Sequence, residues 1–134
     1  AVGDVIGANL DPSHLLWQGM DIADVINYLG DAIYYFHAKD TLLNKSNIRR
    51  NGVLDVKPYT DLKNRSWVFC TMGYGTDEVV WKKIINQLKV VGYDDSISIE
   101  HEDSLMSSME GLSKAVKFLQ NIIITEKAKD AWWI

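Results

Sequence analysis

Three polar residues stand at matching places along the chain. Asp11 follows an apolar stretch at residues 5–10, His37 follows an aromatic-rich stretch at residues 32–36, and Glu100 follows residues 96–99. Each stretch has the length and composition of a short strand. In parallel α/β proteins the carboxyl ends of the strands meet at one rim, and active sites are built there. An Asp, a His and a Glu converging at that rim would form a donor set for a hard-to-borderline divalent cation: Mn²⁺, Zn²⁺, Co²⁺ or Mg²⁺. Taken singly, each residue has a plainer use. Asp11 precedes Pro12 and can cap a turn. His37 can be a satisfied histidine at a strand end, and Glu100 belongs to the charged run Glu100-His101-Glu102-Asp103. Their shared topological position favours a site.

Two neighbours extend the set. His14 lies three residues beyond Asp11 and faces the same pocket if the intervening turn is tight. Lys39 lies two residues beyond His37, on the same side if the strand continues, where it can meet a hydroxylated or anionic ligand; a surface pair with Asp40 is the competing reading. Trp17, Trp67 and Trp81 read as core residues, and Cys70 as a small buried side chain.

The elements that would position these residues alternate. Asp21 is a plausible helix N-cap, followed by Ile22, Val25, Ile26 and Leu29 at helical spacing and by Gly30 as the stop. Residues 40–66 show little periodicity and read as a long loop, a feature that is often functional. Residues 67–71 form a short extended piece. Trp81, Ile84, Ile85, Leu88 and Val91 make a helical stripe ended by Gly92. Met109, Leu112, Val116, Leu119 and Ile123 mark a final helix, and the tail ending Trp132-Trp133-Ile134 is expected to dock. Strands alternating with helices imply parallel pairing through helical crossovers, in a barrel or a doubly wound sheet.

Composition narrows the function classes. The 134 residues are 47% hydrophobic and 24% charged, as in an ordinary globular domain, and the formal charge is −4. An acidic chain offers no general surface for nucleic acid. The single cysteine cannot form an intrachain disulfide, and no apolar run is long enough to span a membrane, so a cytoplasmic protein is expected. The chain lacks an initiator Met and opens almost directly into a strand-like stretch, which marks it as an expected fragment.

An ordered series of motifs resembles a known family. It runs Asn9-Leu10-Asp11-Pro12-Ser13-His14, Trp17-Gln18-Gly19-Met20-Asp21, Phe36-His37-Ala38-Lys39-Asp40, Gly73-Tyr74-Gly75, Val91-Gly92-Tyr93-Asp94 and Ser98-Ile99-Glu100-His101-Glu102-Asp103. The series is similar to the sugar phosphate isomerases and epimerases of the xylose-isomerase-like, endonuclease-IV-like TIM barrel superfamily, over almost the whole chain. The resemblance implies an α/β fold, a partial (β/α)₈ TIM barrel in which residues 1–134 supply roughly the last three βα units, strands six to eight. It implies Asp11, His37 and Glu100 as metal ligands, with Glu100 also one of two catalytic acid/base groups. His14 would contact substrate. The strand-five glutamate of the family has no counterpart in this chain.

The activity so implied is metal-dependent proton transfer next to a carbonyl of a sugar, sugar phosphate or polyol. Departures from the family pattern bear on substrate. Leu43 stands where some members carry Arg, Tyr74 where relatives have His in Gly-His-Gly, and Cys70 where an Arg is frequent. An endonuclease-IV-type AP endonuclease is the alternative, but the Asp-x-His pair it needs is absent between His37 and Glu100. A non-catalytic remnant is a third reading. Three strands would leave two open edges and uncover Val5, Ile33, Tyr35, Ile97 and Ile99. Homo-oligomerisation, or association with a missing N-terminal half, is therefore expected.

Overall fold

The first two helices each carry an aspartate cap. In the computed structural model, which describes residues 5–127, strand β1 (Ala8–Leu10) ends at Asp11. The Asp11 Oδ1 accepts from the Ser13 N–H at 2.9 Å, and Pro12 occupies the first turn of the short helix α1 (Pro12–Leu16). Asp21 caps α2 (Ile22–Leu29) in the same way, accepting from the Ala23 and Asp24 N–H groups. A 3₁₀ turn at Gly30–Ala32 then leads into β2 (Ile33–Ala38).

Residues 40–66 are not the featureless loop expected from sequence. After the single residue Lys39 the chain continues as β3 (Asp40–Leu43), then α3 (Lys45–Asn51), a 3₁₀ turn at Leu62–Asn64 and β4 (Trp67–Cys70). β3 and β4 form an antiparallel ribbon in the register Asp40 with Cys70 and Leu43 with Trp67. The helix escaped detection because it is only seven residues long and carries one apolar side chain, Ile48. Its signals are caps instead of periodicity: Asn44 Oδ1 accepts from the Asn47 N–H, and Gly52, at φ 74°, closes it. The chain then enters α4 (Glu78–Val90), β5 (Ile97–Ile99) and α5 (Ser108–Ile122).

β1, β2 and β5 form a parallel three-stranded sheet with β2 in the centre. The register aligns Leu10 with Phe36 and His37 with Ser98. Side chains alternate across a strand, so Phe36, Ala38, Ile97 and Ile99 face one side, where α2, α4 and α5 cover them. The core there holds Ile26, Phe36, Trp81, Ile84, Ile85, Leu88, Leu119 and Ile122. Tyr35, His37, Ser98 and Glu100 face the other side, and Ser98 donates to the Tyr35 hydroxyl at 2.6 Å. The fold is mixed α/β with a parallel sheet, consistent with part of a TIM barrel; no closed barrel forms among the described residues.

Three sequence expectations shift. Val5 and Ile6 precede the strand and are exposed. Ile33, Ile97 and Ile99 belong to the helix-covered core or its margin, so Tyr35 is the one residue of the expected uncovered set that lies on the open, largely polar face. The buried face of α5 is Gly111, Ala115, Leu119 and Ile122, whereas Met109, Leu112 and Val116 are exposed. The start of the helix runs close to the segment after β5: a Cβ on Gly111 would sit 2.2 Å from the His101 ring. The expected docking of the 132–134 tail lies outside the described residues.

Candidate metal centre

The sheet register alone brings the three ligand candidates together. Asp11 follows Leu10, which is aligned with Phe36, and Glu100 donates its N–H to the Ala38 carbonyl at 3.3 Å. One ligand atom from each of Asp11, His37 and Glu100 lies within 4.8 Å of the others. His37 Nδ1 and Glu100 Oε2 are 2.7 Å apart. The His14 ring stands beside Asp11, with Nε2 3.3 Å from Oδ2, and edge-on to Phe69.

Lys39 ties the group together. Its ammonium is 3.1 Å from Asp11 Oδ2, 2.9 Å from Glu100 Oε1 and 2.9 Å from Glu102 Oε2, and it lies 4.5 Å from the centre of the Phe69 ring. The side chain is only 1% exposed, which overturns the reading of a surface Lys–Asp pair. Burial works against its charge, but hydrogen bonds to Glu102, Glu100 and Asp11 outweigh it and raise the pKa above the ordinary lysine value. The Lys39 hydrogen bond in turn holds the Glu100 carboxyl below its usual range; burial opposes this and His37 adds to it.

This donor set fits a divalent cation. Two carboxylates and an imidazole are ligands that Mn²⁺, Zn²⁺ or Co²⁺ accept. Asp11, Glu100 and Glu102 carry three formal negative charges against one on Lys39, leaving a deficit that a dication would balance. Asp11 Oδ1 and Glu100 Oε1 are already fixed by protein donors, so the supports that orient ligating groups are present.

A second carboxylate network holds the rim behind them. Asp40 is fully buried. It accepts from the N–H groups of Thr41, Gly73, Gly75 and Thr76, from the Thr76 hydroxyl and from the Trp81 indole. It therefore pins the turn after β4 against the end of β2. Asp103 accepts from the Thr71 N–H and hydroxyl, fastening the segment after Glu100 to the same turn. Cys70 is buried beside them, its thiol pushed upward by burial and by the nearby Asp40 and Asp103 charges.

All five residues singled out from sequence, Asp11, His14, His37, Lys39 and Glu100, come together. Glu102, Asp40, Asp103 and Phe69 were missed. Glu102 was legible as the alternate residue beyond Glu100 had the extended backbone been carried past the strand. Asp40 and Asp103 had little local signal, because apart from the Thr41 and Leu105 N–H groups their donors lie 32 to 41 residues away. Trp17 is half-buried and stacks on Trp67 at 4.8 Å, while Trp81 is core as expected.

The fold and this rim define the class of protein. Residues 1–122 match the family model described as "Xylose isomerase-like TIM barrel", and the chain belongs to that family. It is also 40% identical over 123 residues to the Bacillus subtilis (strain 168) protein named "Uncharacterized protein YfiH". That match covers 92% of this chain but only 39% of the relative. Among the described residues no helix is long and apolar enough to cross a membrane.

Proposed function

We propose that this chain carries part of the active site of a divalent-metal-dependent sugar isomerase or epimerase, acting on a sugar, sugar phosphate or polyol. The observation that carries the reading is the convergence of Asp11, His37 and Glu100 at the carboxyl ends of adjacent parallel strands. These three residues would hold the metal. When bound, it would polarise a substrate carbonyl and the neighbouring hydroxyl.

Glu100 is the proton-transfer group. Lys39 engages its Oε1 and His37 its Oε2, so the carboxylate is held in one orientation and in the charged form that accepts a proton. Lys39 holds the Asp11, Glu100 and Glu102 carboxylates in place and meets a substrate hydroxyl beside them. His14, on the open side of Asp11 and half exposed, meets the substrate hydroxyls.

The test is turnover of a panel of ketoses and inososes by the purified full-length protein loaded with Mn²⁺. Replacing Glu100 by Gln is expected to lower kcat by roughly 10²–10⁴-fold. Failure of the loaded protein to interconvert any of these compounds, or full activity in E100Q, would refute the assignment.

A further inference from the structure

Lys39 is a cation already inside the candidate metal centre. Its ammonium contacts Asp11 Oδ2 and Glu100 Oε1, oxygens of two of the three candidate ligands, and Glu102 Oε2 beyond them. The side chain is buried against the Phe69 ring, so it is not a surface lysine free to swing into solvent. Its backbone is the single residue between β2 and β3, fixed from both sides.

A buried ammonium here has two effects that oppose each other. Carboxylates gathered in one place repel, and the ammonium pairs with all three, so it keeps Asp11 beside Glu100 with no metal present. The same charge opposes a dication bound on those oxygens. Magnitudes decide which effect wins. Groups that orient metal ligands are worth about 10–100-fold in affinity. Two unit charges about 5 Å apart, at an effective dielectric of about 20, shift an equilibrium by more than about a hundredfold, and a dication feels about twice that energy. Repulsion therefore outweighs orientation. The loss of orientation is also partial, because without Lys39 the Asp11 carboxylate keeps the Ser13 N–H and Glu100 keeps His37. Removing the ammonium makes the cluster more negative, and neutralising Glu102 makes it less so.

We propose that Lys39 is a resident counter-cation that regulates this centre: it holds the ligand carboxylates together when no metal is bound, and it weakens divalent binding so that the ion is exchangeable. Lys39 and Glu102 together set how much free metal is needed to fill the site. The inference rests on the metal-centre reading for the identity of the ligands and is independent of which sugar is turned over.

The experiment titrates the chelator-stripped full-length protein with Mn²⁺ alone by calorimetry, and measures thermal midpoints in chelator and in excess Mn²⁺. Lys39→Met is expected to bind Mn²⁺ at least roughly tenfold more tightly than the wild type. Its midpoint in chelator should fall, so that the gap between stripped and loaded protein widens. Glu102→Gln keeps an acceptor for the ammonium but removes the charge, without touching Asp11, His37 or Glu100, and is expected to bind Mn²⁺ severalfold more weakly. That variant decides the matter if Lys39→Met does not fold. Unchanged or weaker binding in Lys39→Met, or unchanged or tighter binding in Glu102→Gln, overturns this inference and leaves the isomerase reading standing. Affinities in the expected order, in a protein that turns over none of the sugars, do the reverse. A wild-type protein that binds no Mn²⁺ overturns both.

Discussion

Asp40 illustrates how much of the site depends on a residue that would touch no substrate. A buried carboxylate is costly unless its oxygens are satisfied, and here it accepts six hydrogen bonds. Asp40→Ala leaves those donors unpaired inside the protein, so a loss of about 3–5 kcal/mol is expected, read as a lower urea midpoint. Asp40→Asn should also destabilise, because its amide presents N–H groups to N–H donors. A second buried carboxylate predicts a pH dependence. Burial alone would raise the Asp55 pKa, but the N–H groups of Lys57 and Ser66 and the Lys57 ammonium outweigh it and lower the value to about 2. A carboxyl lowered on folding stabilises the fold above its ordinary pKa and loses that contribution as pH falls through the folded value. Asp55 should therefore contribute about 2 kcal/mol at neutral pH, lost between about pH 4 and pH 2. The stability difference between the wild type and Asp55→Asn, followed by denaturant titration, should be flat above about pH 5 and shrink to a small remainder at about pH 2.

At the level of elements, the turn after β4 is the vulnerable joint. A Cβ on Gly75 would lie 2.4 Å from the Thr41 carbonyl carbon and oxygen, which are backbone atoms that cannot swing aside. Gly75→Ala is expected to displace the turn from Asp40, lowering the thermal midpoint and weakening Mn²⁺ binding together; a wild-type midpoint would show that the close approach is not required. The sequence made α2, α4 and the three parallel strands legible because each combines an apolar pattern with a stop or cap. Asp21 and Gly30 bracket α2, and Trp81, Ile84, Ile85 and Leu88 face the core as their spacing demands. β3 and α3 were not legible. Asp40 and Thr41 are buried polar residues whose partners are remote in sequence, and Ile48 alone makes no stripe. The α5 pattern located the helix, but of its residues only Leu119 is buried, and Gly111, Ala115 and Ile122 complete the inner side. The candidate site fared better. Asp11, His37 and Glu100 occupy equivalent strand ends, and position in a parallel sheet is something an ordered sequence does encode.

For the molecule as a whole, β1 and β5 are the edges of the sheet among the described residues, and each presents unpaired backbone groups. The open face of the sheet is largely polar, so the apolar drive to associate comes from elsewhere. Met109, Leu112 and Val116 form an exposed row along α5, at i, i+3 and i+7, and Val5 and Ile6 stand clear before β1. Burying a few hundred Å² at about 25 cal/mol per Å² is comparable to the whole stability of a domain. The expected result of sedimentation at micromolar concentration is a species larger than one chain, whereas a cooperative, well-folded monomer would contradict it. The long span of the Asp40 contacts also bears on time. Its donors at Gly73, Gly75, Thr76 and Trp81 lie 33 to 41 residues downstream, so closing that loop carries an entropic cost that local helix formation does not. The rim is therefore expected to close after the local helices have formed, together with the pairing of β2 and β5 that brings Lys39 to Glu100, 61 residues away.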